Sequence, residues 1–107
     1  MSIVAKVNVD AGACGYMTKI EATPNGGTEV KLDIVSDCPH VQALAKEYKT
    51  ADGMKEVLAP FGEGKLFESA KKHIKHAACP VPSGIMKAIE VASGLALPRD
   101  VTIKVEK

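Results

Sequence analysis

A turn signal between two alternating segments constrains the fold of this chain more than any other feature. Pro24-Asn25-Gly26-Gly27 separates two runs of alternating apolar and polar residues, and Asn and Gly adopt the positive φ values of tight turns at low cost. Alternation with a period of two is typical of a strand that buries one face. The sequence therefore predicts a β-hairpin that buries its even-numbered positions, which are Tyr16, Thr18, Ile20 and Ala22 on one strand and Val30, Leu32 and Ile34 on the other.

The register of this hairpin follows from the same pattern. Opposed residues must share parity to bury one common face, and a three-residue loop, Asn25-Gly26-Gly27, satisfies this condition by pairing Ala22 with Val30. Extended outward, this register sets Cys14 opposite Cys38. We therefore expect two cysteines that are distant in sequence to lie at the same end of the sheet.

Two further alternating segments predict two more strands, one from Ile3 to Val9 and one over Val101, Ile103 and Val105. Between the hairpin and the last strand, the apolar period changes to that of helices. The predicted order is β-β-β-α-α-α-α-β in a single domain that covers residues 1–107. This order is typical of an α+β fold, with a mostly antiparallel four-stranded sheet and helices on one face.

Prolines and capping residues set the expected helix boundaries. Pro39 suits the first helical position, which makes Cys38 the N-cap of the first helix. Thr50 is the expected cap of the second helix and Ser83 of the fourth, whereas Cys79-Pro80-Val81-Pro82 is expected to be non-helical because of its two prolines. The second and third helices are expected to bury Met54, Val57, Leu58 and Phe61, and Leu66, Phe67, Ala70 and Ile74, respectively.

Composition limits the functional classes. The 107 residues carry 14 Lys and Arg against 13 Asp and Glu, and 4% are aromatic. The net charge of +1 excludes a strongly basic nucleic-acid-binding protein, and few rings are present on which bases could stack. The chain has no apolar run long enough for a membrane span and no signal peptide at its start. We therefore expect a cytoplasmic protein that contacts neither membrane nor nucleic acid, with edge strands through which a homodimer could form.

The three cysteines carry the functional prediction because each lies at a break in the pattern. Cys14 is in a glycine-containing loop, and Cys38 and Cys79 each precede a proline. A helix N-terminus stabilises a thiolate, and a Cys-Pro step recurs at iron–sulfur ligands. If Cys79 approaches the hairpin end, the three thiolates would bind zinc with His40 or His76 as fourth ligand, or an iron–sulfur cluster with one open iron position.

Two other interpretations of the cysteines remain open. They are structural thiols of a non-catalytic interaction or scaffold domain, since free cysteine is among the most buried residue types, or the protein is a thiol redox protein that uses Cys38 as a low-pKa thiolate. The odd number of cysteines and a reducing compartment argue against a structural disulfide between Cys14 and Cys38. No pattern points to an acid–base pair or a catalytic triad, so enzymatic activity stays open.

Ser36-Asp37-Cys38-Pro39-His40 resembles the Ser-Cys-Pro-Asp stretch of the domain named for its Thr-Ser-Cys-Pro-Asp motif, which occurs at the end of some ribonucleotide reductases and as small separate proteins. In that family a cysteine-bearing hairpin precedes a Cys-Pro helix start, and the resemblance implies metal binding near this step. As a whole, the chain resembles small uncharacterised proteins of anaerobic bacteria and archaea that share its Asp-Cys-Pro, Cys-Pro-Val-Pro and Gly-Leu-Ala-Leu-Pro segments. That second resemblance implies no particular activity.

Overall fold

Four strands and four helices are formed by residues 3–107, the part of the chain that the computed structural model describes. The strands are β1 (Ala5–Asp10), β2 (Met17–Pro24), β3 (Glu29–Ser36) and β4 (Thr50–Asp52), and the helices are α1 (Pro39–Glu47), α2 (Gly53–Leu58), α3 (Lys65–His73) and α4 (Val81–Ala92). The order in the sheet is β1-β2-β3-β4, and all neighbouring pairs are antiparallel. The predicted α+β class with a four-stranded antiparallel sheet is confirmed.

The helices cover one face of this sheet. α4 packs on β1 and β2, and α1 packs on β3. Between the helices and the sheet lies the core, whose largest fully buried side chains include Ile20, Val30, Leu44, Leu66, Ile85 and Ile89. The opposite face of the sheet is exposed and polar at Lys19, Glu21, Lys31 and Asp33. Among residues 3–107, no helix is both long and apolar enough to cross a membrane.

The hairpin buries the predicted residues except Tyr16, which precedes β2 and is 39% exposed, and it does so in a different register. β2 and β3 pair Ala22 with Leu32 and not with Val30, so the predicted pairing is wrong by two residues. The reason is that Gly26 and Gly27 make the turn with positive φ values of +89° and +57°, whereas Asn25 continues the ladder. A shift of two preserves parity and hence the buried face, but it removes the predicted direct opposition of Cys14 and Cys38.

The fourth strand is not the one predicted. Residues 101–105 form no strand, and the fourth position is taken by Thr50–Asp52, which pairs with β3. A strand-like pattern alone does not form a strand, because pairing also needs a neighbour. Consequently Thr50 is not a helix cap, and Asp52 accepts the capping hydrogen bond of α2 from the N–H of Lys55 at 3.2 Å.

Two helix predictions also need correction. α4 begins at Val81, not after Ser83, and it includes Pro82 in its first turn, where N–H groups have no intrahelical partner for proline to remove. α2 does not bury its predicted apolar stripe: Phe61 is 99% exposed, and the helix buries Gly53 and Glu56 instead. The start of α1 at Pro39, with Cys38 as N-cap, is confirmed.

Candidate functional site

One end of the sheet carries the three cysteines. Loop 11–16 joins β1 to β2 there, and β3 passes into α1 at the same end. The segment 74–80, which leads into α4, reaches the same place, because its side chains line a cavity shared with the other two segments. This cavity has a volume of about 490 Å³, and its lining includes Cys14, Cys38, Cys79, His40 and His76. All five residues selected from the sequence therefore lie around one cavity.

Loop 11–16 holds Cys14 at the rim of the cavity. The Gly12 N–H donates to Asp10 Oδ1 at 3.0 Å, and the Gly15 N–H donates to the carbonyl oxygen of Gly12 at 2.9 Å. Both glycines have positive φ, +84° and +76°, which is why the chain turns here without steric strain. Cys14, between them, is exposed.

The position of Cys38 is fixed by a polar network around Ser36. Ser36 Oγ accepts a hydrogen bond from the Cys38 N–H at 3.1 Å and lies 2.8 Å from Thr18 Oγ1. Gln42 Nε2 donates to the Ser36 carbonyl oxygen at 2.8 Å. The Cys38 side chain makes no capping hydrogen bond although it occupies the N-cap position of α1. Its half-buried thiol is therefore left for the cavity.

Cys79 lies one residue before the N-cap of α4, and its N–H donates to the carbonyl oxygen of His76 at 3.1 Å. Burial raises the pKa of the Cys79 thiol, a hydrogen bond from the Val81 N–H opposes this rise, and negative charge on Cys38 and on Cys14 adds to it. Charges act on a pKa in this way only over short distances. Cys14 and Cys38 accordingly line the same cavity as Cys79.

Two helix N-termini and one lysine lie at the cavity. α1 and α4 both begin at it, and neither helix has an acidic residue in its first turn. The partial positive charge of each helix N-terminus is therefore not neutralised from within the helix. Lys75 also lines the cavity. Such surroundings favour a bound group with net negative charge.

The cysteines are free thiols, and their spacing does not suit a site for a single metal ion. Across residues 3–107, no three His, Cys, Asp or Glu side chains are close enough together to hold one metal ion. Zinc–sulfur bonds of about 2.3 Å in a tetrahedron require sulfur atoms about 3.8 Å apart. A single-ion site would therefore require the cysteine side chains to move inward.

Comparison with models of protein families identifies the family of this chain. The model of a family of unknown function, DUF6951, matches residues 5–105. The chain belongs to this family. No curated protein and no solved structure matches it significantly. The DUF6951 match runs from the first residue of β1 nearly to the end of the chain, so the cavity and its five selected residues lie inside the family's domain.

Two features of the site in this DUF6951 chain were missed by sequence reasoning. Lys75 belongs to a basic run that is typical of a solvated helix face, and its position beside the cavity has no signal in the sequence. The start of α4 at Val81 did have a signal. Pro82 lies in the first turn of α4 as Pro39 lies in the first turn of α1, and a proline there marks a helix start.

Proposed function

We propose that this chain binds an iron–sulfur cluster through Cys14, Cys38 and Cys79, with His40 or His76 available to the remaining iron. The observation that carries the proposal is the convergence of three free thiols, from three separate segments, on one cavity. Three thiolates are a sufficient protein ligand set for a cluster that keeps one iron open to another ligand.

The dimensions of the cavity favour a cluster over a single zinc ion. Its volume of about 490 Å³ exceeds what one ion needs, and the thiols are too widely spaced to bind a common ion without movement. In a cluster, each thiolate binds a different iron, so wider spacing is tolerated. Apolar side chains in the lining, including Val41, Ile74 and Val81, would limit the access of water to the cluster.

The burial of the cysteines disfavours a purely structural role. Thiols that fill space in a core are normally buried, but Cys14 is exposed, and Cys38 and Cys79 are half-buried around a cavity. The uncompensated helix N-termini of α1 and α4 point the same way. The negative charge of a thiolate-bound cluster would interact favourably with the partial positive charge of these helix ends.

One local resemblance is consistent with the same proposal. The Ser36–His40 segment resembles the Thr-Ser-Cys-Pro-Asp motif domain, for which metal binding is suspected. We place the protein in the cytoplasm, where a reducing environment keeps thiols available for metal binding.

The test is anaerobic purification followed by iron and sulfide analysis, with reconstitution by ferrous iron and sulfide if the isolated protein is metal-free. We expect the visible absorption and Mössbauer spectra of a cluster. Serine replacement of Cys14, Cys38 or Cys79, one at a time, should reduce or abolish cluster formation, while far-ultraviolet circular dichroism remains that of the folded chain.

The histidines offer a matched control. His40→Ala and His76→Ala are expected to change the spectrum or stability of the cluster if either side chain binds the open iron. His73→Ala should not, because His73 lies outside the cavity and contacts Glu47 at 3.2 Å. Stoichiometric zinc binding without cluster formation would contradict the cluster proposal and indicate a zinc site instead. Protein that takes up neither, or clusters that survive the loss of any two cysteines, would overturn the proposal.

A further inference from the structure

The C-terminal segment, residues 99–107, has the sequence of a strand but no partner strand. Val101, Ile103 and Val105 are 64%, 76% and 92% exposed, and they alternate with Thr102 and Lys104. No other residue between 3 and 107 makes a backbone hydrogen bond with this segment. Branched apolar residues on one side of an extended chain are typical of a strand that packs its apolar side against a core.

The sheet has a free edge that this segment fits. β1 is an outer strand, with β2 on one side and no strand on the other, so half of its backbone groups are unpaired. Val7 and Val9 of β1 face the core side but are only half-buried. The other edge strand, β4, has three residues, which is too short to pair with the five residues from 101 to 105. β1 is therefore the edge that can accept the segment.

We propose that two copies of this chain form a dimer by exchanging their C-terminal segments, each of which pairs with β1 of the other copy. Val101, Ile103 and Val105 then extend the core beside Val7 and Val9. The partner is a second copy because the same chain carries both halves of the contact, an exposed strand and an open edge. An exchange that is reciprocal closes on itself as a two-fold dimer. The chain leaves α4 close to the hairpin turn, since a Cβ at Gly53, which hydrogen-bonds to Thr28, would contact Ser93 at the end of α4.

Mass and amide exchange test the proposal together. Under reducing conditions, which exclude disulfide-linked dimers, light scattering or sedimentation across a dilution series should give about twice the 11.3 kDa mass of one chain at high concentration. In the dimer, the amides of residues 101–105 should exchange slowly with deuterium because they are in a ladder. Monomer mass at every concentration would overturn the proposal, and so would slow exchange of these amides in a monomer, since that result would place the segment in its own domain.

A pair of lysine substitutions provides the matched control. Ile103→Lys sets a charge against the core and should raise the dimer dissociation constant roughly tenfold or more. Thr102→Lys adds the same charge to the opposite side and should leave the dissociation constant near that of the parent chain. At concentrations where the chain is a monomer, neither variant should change the circular dichroism spectrum, because both positions are exposed outside the helices and strands. Equal weakening by both substitutions would contradict the assigned orientation. The dimer does not require the cysteines, so their serine variants should still dimerise, and failure of the cluster proposal would leave this result intact.

Discussion

Replacing Glu56 by alanine removes the group that holds the start of α3. The N-cap of that helix is Gly64, which has no side chain with which to cap it. Glu56, in α2, supplies the acceptors instead: Oε1 accepts from the Lys65 N–H at 2.9 Å, and Oε2 accepts from the Leu66 N–H at 2.8 Å. The Tyr48 hydroxyl also donates to Oε2. Only 6% of Glu56 is exposed, so water cannot readily replace these contacts.

The expected cost follows from the donors that would be left without an acceptor. The Leu66 N–H and the Tyr48 hydroxyl are in a buried environment, and each buried donor without a partner costs about 1–3 kcal/mol. The Lys65 N–H is only partly buried and adds less. Allowing for a water molecule in the vacated space, we expect a loss of about 3 kcal/mol in the free energy of unfolding. A domain of this size typically has about 5–15 kcal/mol in total, so the variant should remain folded.

Urea denaturation followed by circular dichroism measures this loss. Glu56→Gln keeps one carbonyl oxygen as an acceptor and should fall between the alanine variant and the parent chain. Glu63→Ala, an exposed position in the loop before α3, is the matched control and should change stability little. A second measurement is the titration of tyrosine absorbance: burial raises the pKa of Tyr48, and its contact with Glu56 raises it further, so removing Glu56 should lower it. If Glu56→Ala were no less stable than Glu63→Ala, the capping role would be refuted.

Three further predictions concern packing, pH and the cavity loop. Gly84→Ala places a Cβ 2.4 Å from Val9 Cγ2, so thermal unfolding should show a loss of about 1–3 kcal/mol from overpacking. The pKa of Glu47 is lowered from 4.5 to about 2, chiefly by its hydrogen bond with Lys72. Stability from this carboxylate is complete above its unfolded pKa and is lost as the pH falls towards 2, and Glu47→Gln should remove that part of the stability–pH curve. Cluster binding should slow amide exchange in loop 11–16 more than in the well-packed α1 and α4, which deuterium exchange of loaded and metal-free protein would show.

The hairpin shows which part of a sheet is readable from sequence. Within the two strands, alternation predicted the buried face correctly, because side-chain direction depends only on parity; Tyr16, outside β2, is exposed. The register depended on which residue enters the turn, and Asn25 and the two glycines are all suited to positive φ. The sequence pattern alone does not show which of these residues form the turn. The choice was made by the ladder, which includes a hydrogen bond from the Asn25 N–H to the Glu29 carbonyl oxygen at 2.9 Å.

α2 shows how tertiary contacts override an apolar period. Its sequence places Met54, Val57 and Leu58 at helical spacing, yet Leu58 is 68% exposed and Glu56 is buried. A buried carboxylate is tolerated only when its oxygens accept hydrogen bonds. The donors come from Tyr48 and from the start of α3, which are 8 to 10 residues away along the chain. A pattern within one helix carries no information about such partners.

The residues of the candidate site could be predicted from the sequence, but the distances between them could not. Cys14, Cys38 and Cys79 were selected because they interrupt the periodic pattern, and breaks in the pattern are where chain segments meet at the ends of elements. The reasoning that brought Cys14 to Cys38 used a register that is wrong by two residues. It still reached the right end of the sheet, because a shift of two moves a residue along the strand without moving it to another end. The distances among the sulfur atoms could not be predicted in this way, since they depend on side-chain rotamers and loop conformation.

The two proposals meet at β1. This strand would receive the exchanged segment along its free edge, and it continues after Asp10 into loop 11–16, which carries Cys14. Pairing on both edges would restrain the end of β1 and hence the base of that loop. Cys38 and Cys79 need no such support, because they adjoin helices whose first turns are buried at Val41 and at Val81. Of the three thiols, Cys14 is therefore the one whose position depends on whether β1 is paired. Thermodynamic linkage then requires that any effect of dimerisation on the affinity for the cluster is matched by an equal effect of the cluster on the affinity of dimerisation.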